Sequence, residues 1–349
     1  MQSALGGESR TATEGKPFTV ETTVGYPWRV AWKGKPLELS VSGMEVNPLI
    51  LPLVAFVISV FTSLGGISGA FLILPFQVSV LGFTSPAVSA TNHVYNIVAT
   101  PGGVWRYVRE GRMVWPLAWI VIIGTLPGVF IGAVIRIRYL PDPRDFKLFV
   151  GVVLCYIGVR LSRDLLDRSR SPSHRSAETR FEHLARTYRR RVESGEELPR
   201  IHTEEFSVRR LVYEFYGERF EVPVIPILSI SLAVGVLGGA YGIGGGAIMA
   251  PLCVAMFGLP VYTVAGATLL ATLITSVAGV AFYHALAPFY LGVEVSPDWT
   301  LGLLFGVGGF AGTYCGARLQ KFVPARAIKV ILAGCLFFLA GGYIVSYFL

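Results

Sequence analysis

The chain has 349 residues, 53% of them hydrophobic and 15% charged, with a formal net charge of +8. A mean hydropathy of +0.58 excludes an ordinary soluble domain and a disordered chain, and points to an all-α, polytopic membrane protein. The positive balance suits basic cytoplasmic loops facing anionic lipid, and implies no nucleic-acid partner.

The cysteines (Cys155, Cys253, Cys315, Cys335) lie in apolar segments at no metal-like spacing. Neither disulfides, a metal site nor a cofactor is expected.

Residues 1–48 form a polar-to-mixed N-terminal extension. No apolar core follows Met1, so no cleaved signal peptide is expected. Phe18 to Val24 and Leu37 to Val41 alternate like short strands around Gly34, which fits either a small β-rich cap or a disordered tail.

Residues 49–161 read as a first transmembrane repeat. No Asp, Glu, Lys or Arg occurs from Pro48 to Trp105. Pro48 to Leu81 exceeds the roughly 20 residues of one upright span. The run Gly65-Gly66-Ile67-Ser68-Gly69 divides it, giving either a re-entrant hairpin or one broken helix. Spans follow at Ala87–Val104, Trp115–Ile135 and Phe146–Leu161. Arg106, Arg109 and Arg112 mark a basic loop, and Trp105, Trp115 and Trp299 read as interfacial belt residues.

Residues 162–222 hold 13 arginines against 12 Asp plus Glu, an Arg/Glu-rich insert expected to be cytoplasmic. Arg175 to Val192 fits a surface helix, and such a charge run is ordinarily a solvated face.

Residues 223–349 read as a second transmembrane repeat. Six glycines crowd residues 238–246, followed by Pro251. Glycine costs a helix about 1 kcal/mol per residue relative to alanine, so this cluster should interrupt the helix. Spans follow at Val261–Tyr283, Trp299–Leu319 and Ile328–Leu349.

The halves match. A shift of 176 residues carries Gly66-Ile67-Ser68-Gly69-Ala70 onto Gly242-Ile243-Gly244-Gly245-Gly246. It also carries Pro75 onto Pro251, Gly103 onto Gly279 and Tyr107 onto Tyr283. A shift of 184 carries Gly124, Gly128 and Gly132 onto Gly308, Gly312 and Gly316, two faces for close helix packing. Duplicated halves with broken helices indicate a transporter whose site lies at the repeat interface. Hairpins at the breaks would give five segments per half and an inverted repeat; single broken helices would give four and a parallel one. The loop charges lean toward inversion, although Arg136, Arg138, Arg144 and Lys147 would then face outside.

These residues resemble the TauE/SafE family of membrane transporters. The resemblance rests on Gly242-Ile243-Gly244-Gly245-Gly246 with Pro251, on the copy Gly66-Ile67-Ser68-Gly69, and on the Arg106–Arg112 loop. It implies export or exchange of a small anion, sulfite or an organosulfur anion such as sulfoacetate, across the cytoplasmic membrane. The N-terminal extension and the long insert depart from the family pattern, and Ser68 stands where the second copy has Gly244.

An anion site usually recruits Arg or Lys, but the uncharged stretches offer backbone N–H groups at restarting helices instead. Asn92 and Asn96 share one helix face with Thr100; the shift of 176 gives Thr268, Thr272 and Ser276. The candidate substrate-binding set is therefore Gly66, Ser68, Gly69, Asn92, Asn96, Gly242, Gly244, Gly245, Gly246, Thr268 and Thr272. The bland reading is that the glycines pack helices and the hydroxyls bond backbone. His93 is the candidate for carrying a coupling proton, against a neutral histidine bonded between helices. The glycine run lacks the Lys-Ser/Thr of a phosphate loop, so no enzyme is expected. A passive anion channel and a membrane scaffold using the insert are the competing functions. Expected partners are the lipid bilayer, a small anion and, compatible with the sequence, a second copy of the chain.

Overall fold

The computed structural model describes residues 37–38, 45–46, 48–64, 67–166, 201–215, 218–259, 261–290, 292–319 and 325–348. The first half comprises α1 (Ile50–Leu64), α2 (Ala70–Ser79), α3 (Ala87–Arg109), α4 (Trp115–Arg138) and α5 (Pro143–Leu166). The second comprises α6 (Val224–Tyr241), α7 (Met249–Phe257), α8 (Val261–Leu286), α9 (Trp299–Leu319) and α10 (Ala325–Phe348). Residues 115–138, 224–241, 263–289 and 299–319 are each long and apolar enough to cross a membrane.

The two halves interlock. α1 lies on α9 of the other half, and α6 lies on α4. Gly308, Gly312 and Gly316 receive the backbone of Pro52, Phe56 and Val60, while Gly124, Gly128 and Gly132 receive that of Leu228, Leu232 and Val236. Each residue of the first trio maps onto one of the second by the shift of 176. With no side chain at the contact, the backbones approach closely enough for dispersion to hold the pair in lipid.

The order of these contacts gives helix direction. α1 and α9 run parallel, as do α4 and α6. α3 and α8 cross antiparallel: His93 packs on Gly279, Gly103 on Leu269, and Tyr107 on Gly266. α5 and α10 are also antiparallel, since Gly151 meets Tyr343 and Gly158 meets Phe337. α3 and α9 are parallel, with Gly302 against Val94 and Gly306 against Val98. Hence α1 and α3 point the same way, and α2 between them returns. Parallel α1 and α3 favour a hairpin at the first break over a single bent helix.

Helix ends follow local chemistry. Pro143 opens α5, where its missing N–H costs nothing, and the Asp142 carboxylate accepts the Arg144 N–H at 2.7 Å. Arg136 is buried rather than a loop charge. Its guanidinium donates to the carbonyls of Leu140 and of Thr84, the latter at 2.7 Å, and stacks on Phe146 at 3.6 Å.

A purely helical chain is not what folds. β1 (Leu37–Glu38) pairs antiparallel with β2 (Glu45–Val46). β3 (His202–Phe206), β4 (Arg210–Phe215) and β5 (Glu218–Pro223) form an antiparallel sheet in the order β3-β4-β5. The alternation Leu211, Tyr213, Phe215 in the insert is a period-two signal masked by the surrounding charge. The expected strand Phe18–Val24 and surface helix Arg175–Val192 lie outside the described residues. α5 continues to Leu166, past the expected boundary at residue 161.

The glycine contacts predict opposite outcomes at two kinds of position. Gly128→Ala and Gly312→Ala drive a Cβ into backbone and should each lower the unfolding temperature of the purified protein. Gly341→Ala meets open space and should be neutral, or stabilising by up to about 1 kcal/mol. Equal melting of all three variants would mean that the interlock is not what holds the halves together.

Candidate functional site

The second break begins where α6 stops. Gly242 has φ +81° and its N–H returns to the Gly238 carbonyl at 2.9 Å, closing the helix in the left-handed conformation. Gly244 is again left-handed at φ +75°, before α7 starts. There the Met249 N–H bonds the Gly246 carbonyl at 3.0 Å. In the first break the Ala70 N–H donates to Ser68 Oγ at 3.3 Å, closing the turn into α2.

The two breaks meet through one side chain. Asn96 of α3 donates from Nδ2 to the Ile243 carbonyl at 3.0 Å and accepts the Ser68 hydroxyl at Oδ1, 2.5 Å away. All three residues are buried. Because a carbonyl can only accept, Ile243 fixes the Asn96 amide, and the amide in turn fixes Ser68 as donor. One turn earlier, Asn92 donates to the Ala70 carbonyl at 3.0 Å.

The hydroxyls of the second half behave differently. Thr272 Oγ1 donates to the Thr268 carbonyl at 3.0 Å, and Thr268 to those of Val264 and Ala265 at 3.2 Å. Their hydrogens are spent on their own helix, which is the bland behaviour of threonine in a helix. Their remaining surfaces pack against the break, Thr268 and Thr272 on Gly246, and Thr272 with Ser276 on Gly244.

The other predicted residues fall as follows. Gly69 lies against Tyr95 and Ser59, Gly242 against the Ser89 backbone, and Gly245 against Thr125. Gly66 lies outside the described residues. His93 is buried, with Nδ1 3.3 Å from Ser276 Oγ and no hydrogen-bond partner at Nε2. Its counterpart under the shift of 176 is Leu269, and each packs on a glycine of the opposite helix. Every described glycine of the breaks is therefore also a packing residue, so bulk placed there perturbs the fold as well as any site.

Two neighbours escaped the sequence reading. Thr275 Oγ1 accepts the Gly245 N–H at 3.0 Å; it sits three residues after Thr272, one position off the spacing of four. Gln77 donates from Nε2 to Asn92 Oδ1 at 3.4 Å, and its buried Oε1 has no partner. A lone amide in the apolar segment AFLILPFQVS was the available signal.

The family model for the sulfite exporter TauE/SafE matches residues 51–343, which takes in both breaks and both halves. The chain belongs to the TauE/SafE family. Similar proteins within reach of it are two from Bacillus subtilis (strain 168). The "Probable membrane transporter protein YdhB" is 32% identical over 113 residues, covering 32% of this chain and 42% of that protein. The "Probable membrane transporter protein YunE" is 21% identical over 291 residues, covering 81% of this chain and 92% of that protein. The chain thus spans less than half the length of the first relative and nearly all of the second. No solved structure matches this TauE/SafE chain.

Ser68 and Asn96 should be energetically coupled. In a double-mutant cycle of Ser68→Ala and Asn96→Ala, the coupling measured by unfolding in detergent should be about 0.5–1.5 kcal/mol. Additive effects would mean that the contact contributes nothing to joining the breaks.

Proposed function

We propose that this TauE/SafE protein is a secondary transporter that exports or exchanges small anions, sulfite or an organosulfur anion such as sulfoacetate, across the cytoplasmic membrane. The observation that carries the reading is the Asn96 bridge from Ser68 to Ile243. It brings two unwound segments of backbone, one from each half, to a single buried point. Irregular backbone at membrane depth is tolerated where protein or a watery cavity surrounds it, and in transporters such breaks adjoin the substrate.

The chemistry follows from the donors. The Ser68 hydroxyl, the Asn96 amide and the Ala70 and Gly245 N–H groups are now satisfied by acceptors within the chain. When the hairpins part, those acceptors leave and the donors are offered to an oxyanion. The donors exchange one acceptor for another, and the vacated carbonyl and amide oxygens are left to water entering the opened cavity. The positive ends of α2 and α7 favour the negative charge. Net affinity stays modest because the internal acceptors compete, and a carrier must release what it binds.

Inversion of the halves is part of this reading. It is supported by the antiparallel crossings of α3 with α8 and of α5 with α10, since each pair consists of equivalent helices. The basic Arg106–Arg112 loop and the β3–β5 sheet lie at one end of the bundle, joined by the Ile201 N–H to the Gly111 carbonyl at 3.3 Å, and we take that end as cytoplasmic. The burial of Arg136 removes one of the charges that argued against it.

Reconstitution tests the function. Proteoliposomes preloaded with sulfite or sulfoacetate should accelerate uptake of the labelled anion, and Ser68→Ala or Asn96→Ala should slow it roughly tenfold, the weight of one lost charge-assisted bond of about 1.4 kcal/mol. Uptake indifferent to preloading would identify a passive channel, and no flux of any anion would return the protein to the scaffold reading.

His93 is the coupling candidate within the same scheme. His93→Gln should abolish the response of transport to an imposed pH gradient while leaving anion exchange intact. An unaltered response would assign His93 the spacer role that Leu269 plays opposite it.

A further inference from the structure

The β3–β5 sheet rests on the bundle at three helix ends. The Tyr213 phenol, whose pKa is raised by burial, bonds Thr263 Oγ1 of α8 at 2.9 Å. The Ile201 N–H bonds the Gly111 carbonyl between α3 and α4, and the Val224 N–H at the start of α6 bonds the Arg209 carbonyl at 3.1 Å. The face laid against the helices carries Leu211, Tyr213 and Phe215, all buried.

Phe206 belongs to that same face. It is the cross-strand partner of Leu211, and opposed residues of an antiparallel pair point the same way. Yet Leu211 is fully covered and Phe206 is 59% exposed. The cover over Leu211 therefore does not extend to Phe206. Val208, at the tip of the same hairpin, is 80% exposed.

The bond from Val224 to Arg209 fixes where this uncovered end is. The tip lies beside the first turn of α6, whose next residue, Ile225, is 54% exposed and begins an outward row with Leu228 and Leu232. On an apolar span that outward row faces lipid, so Phe206 and Val208 continue a lipid-facing surface past the helix end. Arg210 is engaged by Glu205 at 3.0 Å and Arg219 by Glu204 at 2.5 Å. That leaves the exposed Arg209, next to Val208, as the guanidinium at the tip.

We propose that the β3–β4 hairpin reaches over the edge of the bundle and seats Phe206 and Val208 in the interfacial layer of the bilayer, with Arg209 on a phospholipid phosphate. An aromatic ring at headgroup depth beside an arginine is the combination that the interface favours. The hairpin holds the sheet against the lipid as the three helix ends hold it against the protein.

A depth measurement on the full chain in phospholipid nanodiscs tests this. A nitroxide is placed at Val208→Cys, and separately at Phe206→Cys and His202→Cys, with the four native cysteines changed to alanine. At 206 and 208 relaxation should be faster with oxygen than with a water-soluble nickel chelate, and the order should reverse at His202. Arg209→Glu should raise nickel access at 208 toward that at 202. Nickel access at 206 and 208 equal to that at 202 would place the hairpin in water and overturn the proposal. Labels closed to both reagents would show the tip covered by protein, from the insert or a second copy, and would equally overturn it. No effect of Arg209→Glu would remove the phosphate contact.

Discussion

Backbone that leaves a helix inside a bilayer must find its hydrogen bonds within the protein, and that constraint organises this molecule. Its two breaks unwind the chain at depth, and the groups they expose are closed by side chains from the next long helix. Asn96 and Asn92 serve the first break, Thr275 serves the second, and Asn96 reaches across to serve both. Pro75, inside α2, is handled the same way. Proline removes the N–H that Phe71 would have bonded, and the Tyr241 hydroxyl, from the other half, donates to that carbonyl at 3.0 Å.

Satisfying the breaks this closely requires helices that touch without side chains between them. The glycine trios on α4 and α9 provide it. Packing and site cannot be pulled apart at these positions, because the same glycine that lets α6 approach α4 also sets where the unwound loop falls. The halves are nonetheless unequal in chemistry. The first break is lined by amides, Asn92, Asn96 and Gln77, and the second by hydroxyls already committed to their own helix. A symmetric fold thus presents an asymmetric set of donors.

Much of this was legible in the sequence because membrane residence and duplication both leave strong periodic marks. The glycine shifts of 176 and 184 reappear as contacts, residue for residue, between Gly308 and Pro52 and between Gly124 and Leu228. The placement of Asn96 and Thr272 near the breaks drew on spacing by four together with the shift of 176, each stripe lying on the long helix after a break. Direction was not legible: hairpin and bent helix differ in tertiary contacts, and the loop charges pulled both ways because Arg136, counted among them, is buried as a staple for Leu140 and Thr84. The β3–β5 sheet was missed because its alternation is short and sits in a densely charged segment. Gln77 was missed because nothing in the second half answers to it except Cys253.

The interlocked arrangement has a consequence for biogenesis. A chain leaves the ribosome from its N-terminus, and domains ordinarily assemble in that order. Here α1 emerges first, yet the helix it lies on, α9, is almost the last to be made. Until Gly308, Gly312 and Gly316 arrive, the backbone of Pro52, Phe56 and Val60 has no surface to meet. The first half therefore waits in the membrane without its main partner for α1, its unwound segment held by first-half groups such as Asn92, Tyr95 and Ser59. A product truncated anywhere before α9 would lack the surface that α1 lies on, and its defect would be one of assembly that is independent of the substrate.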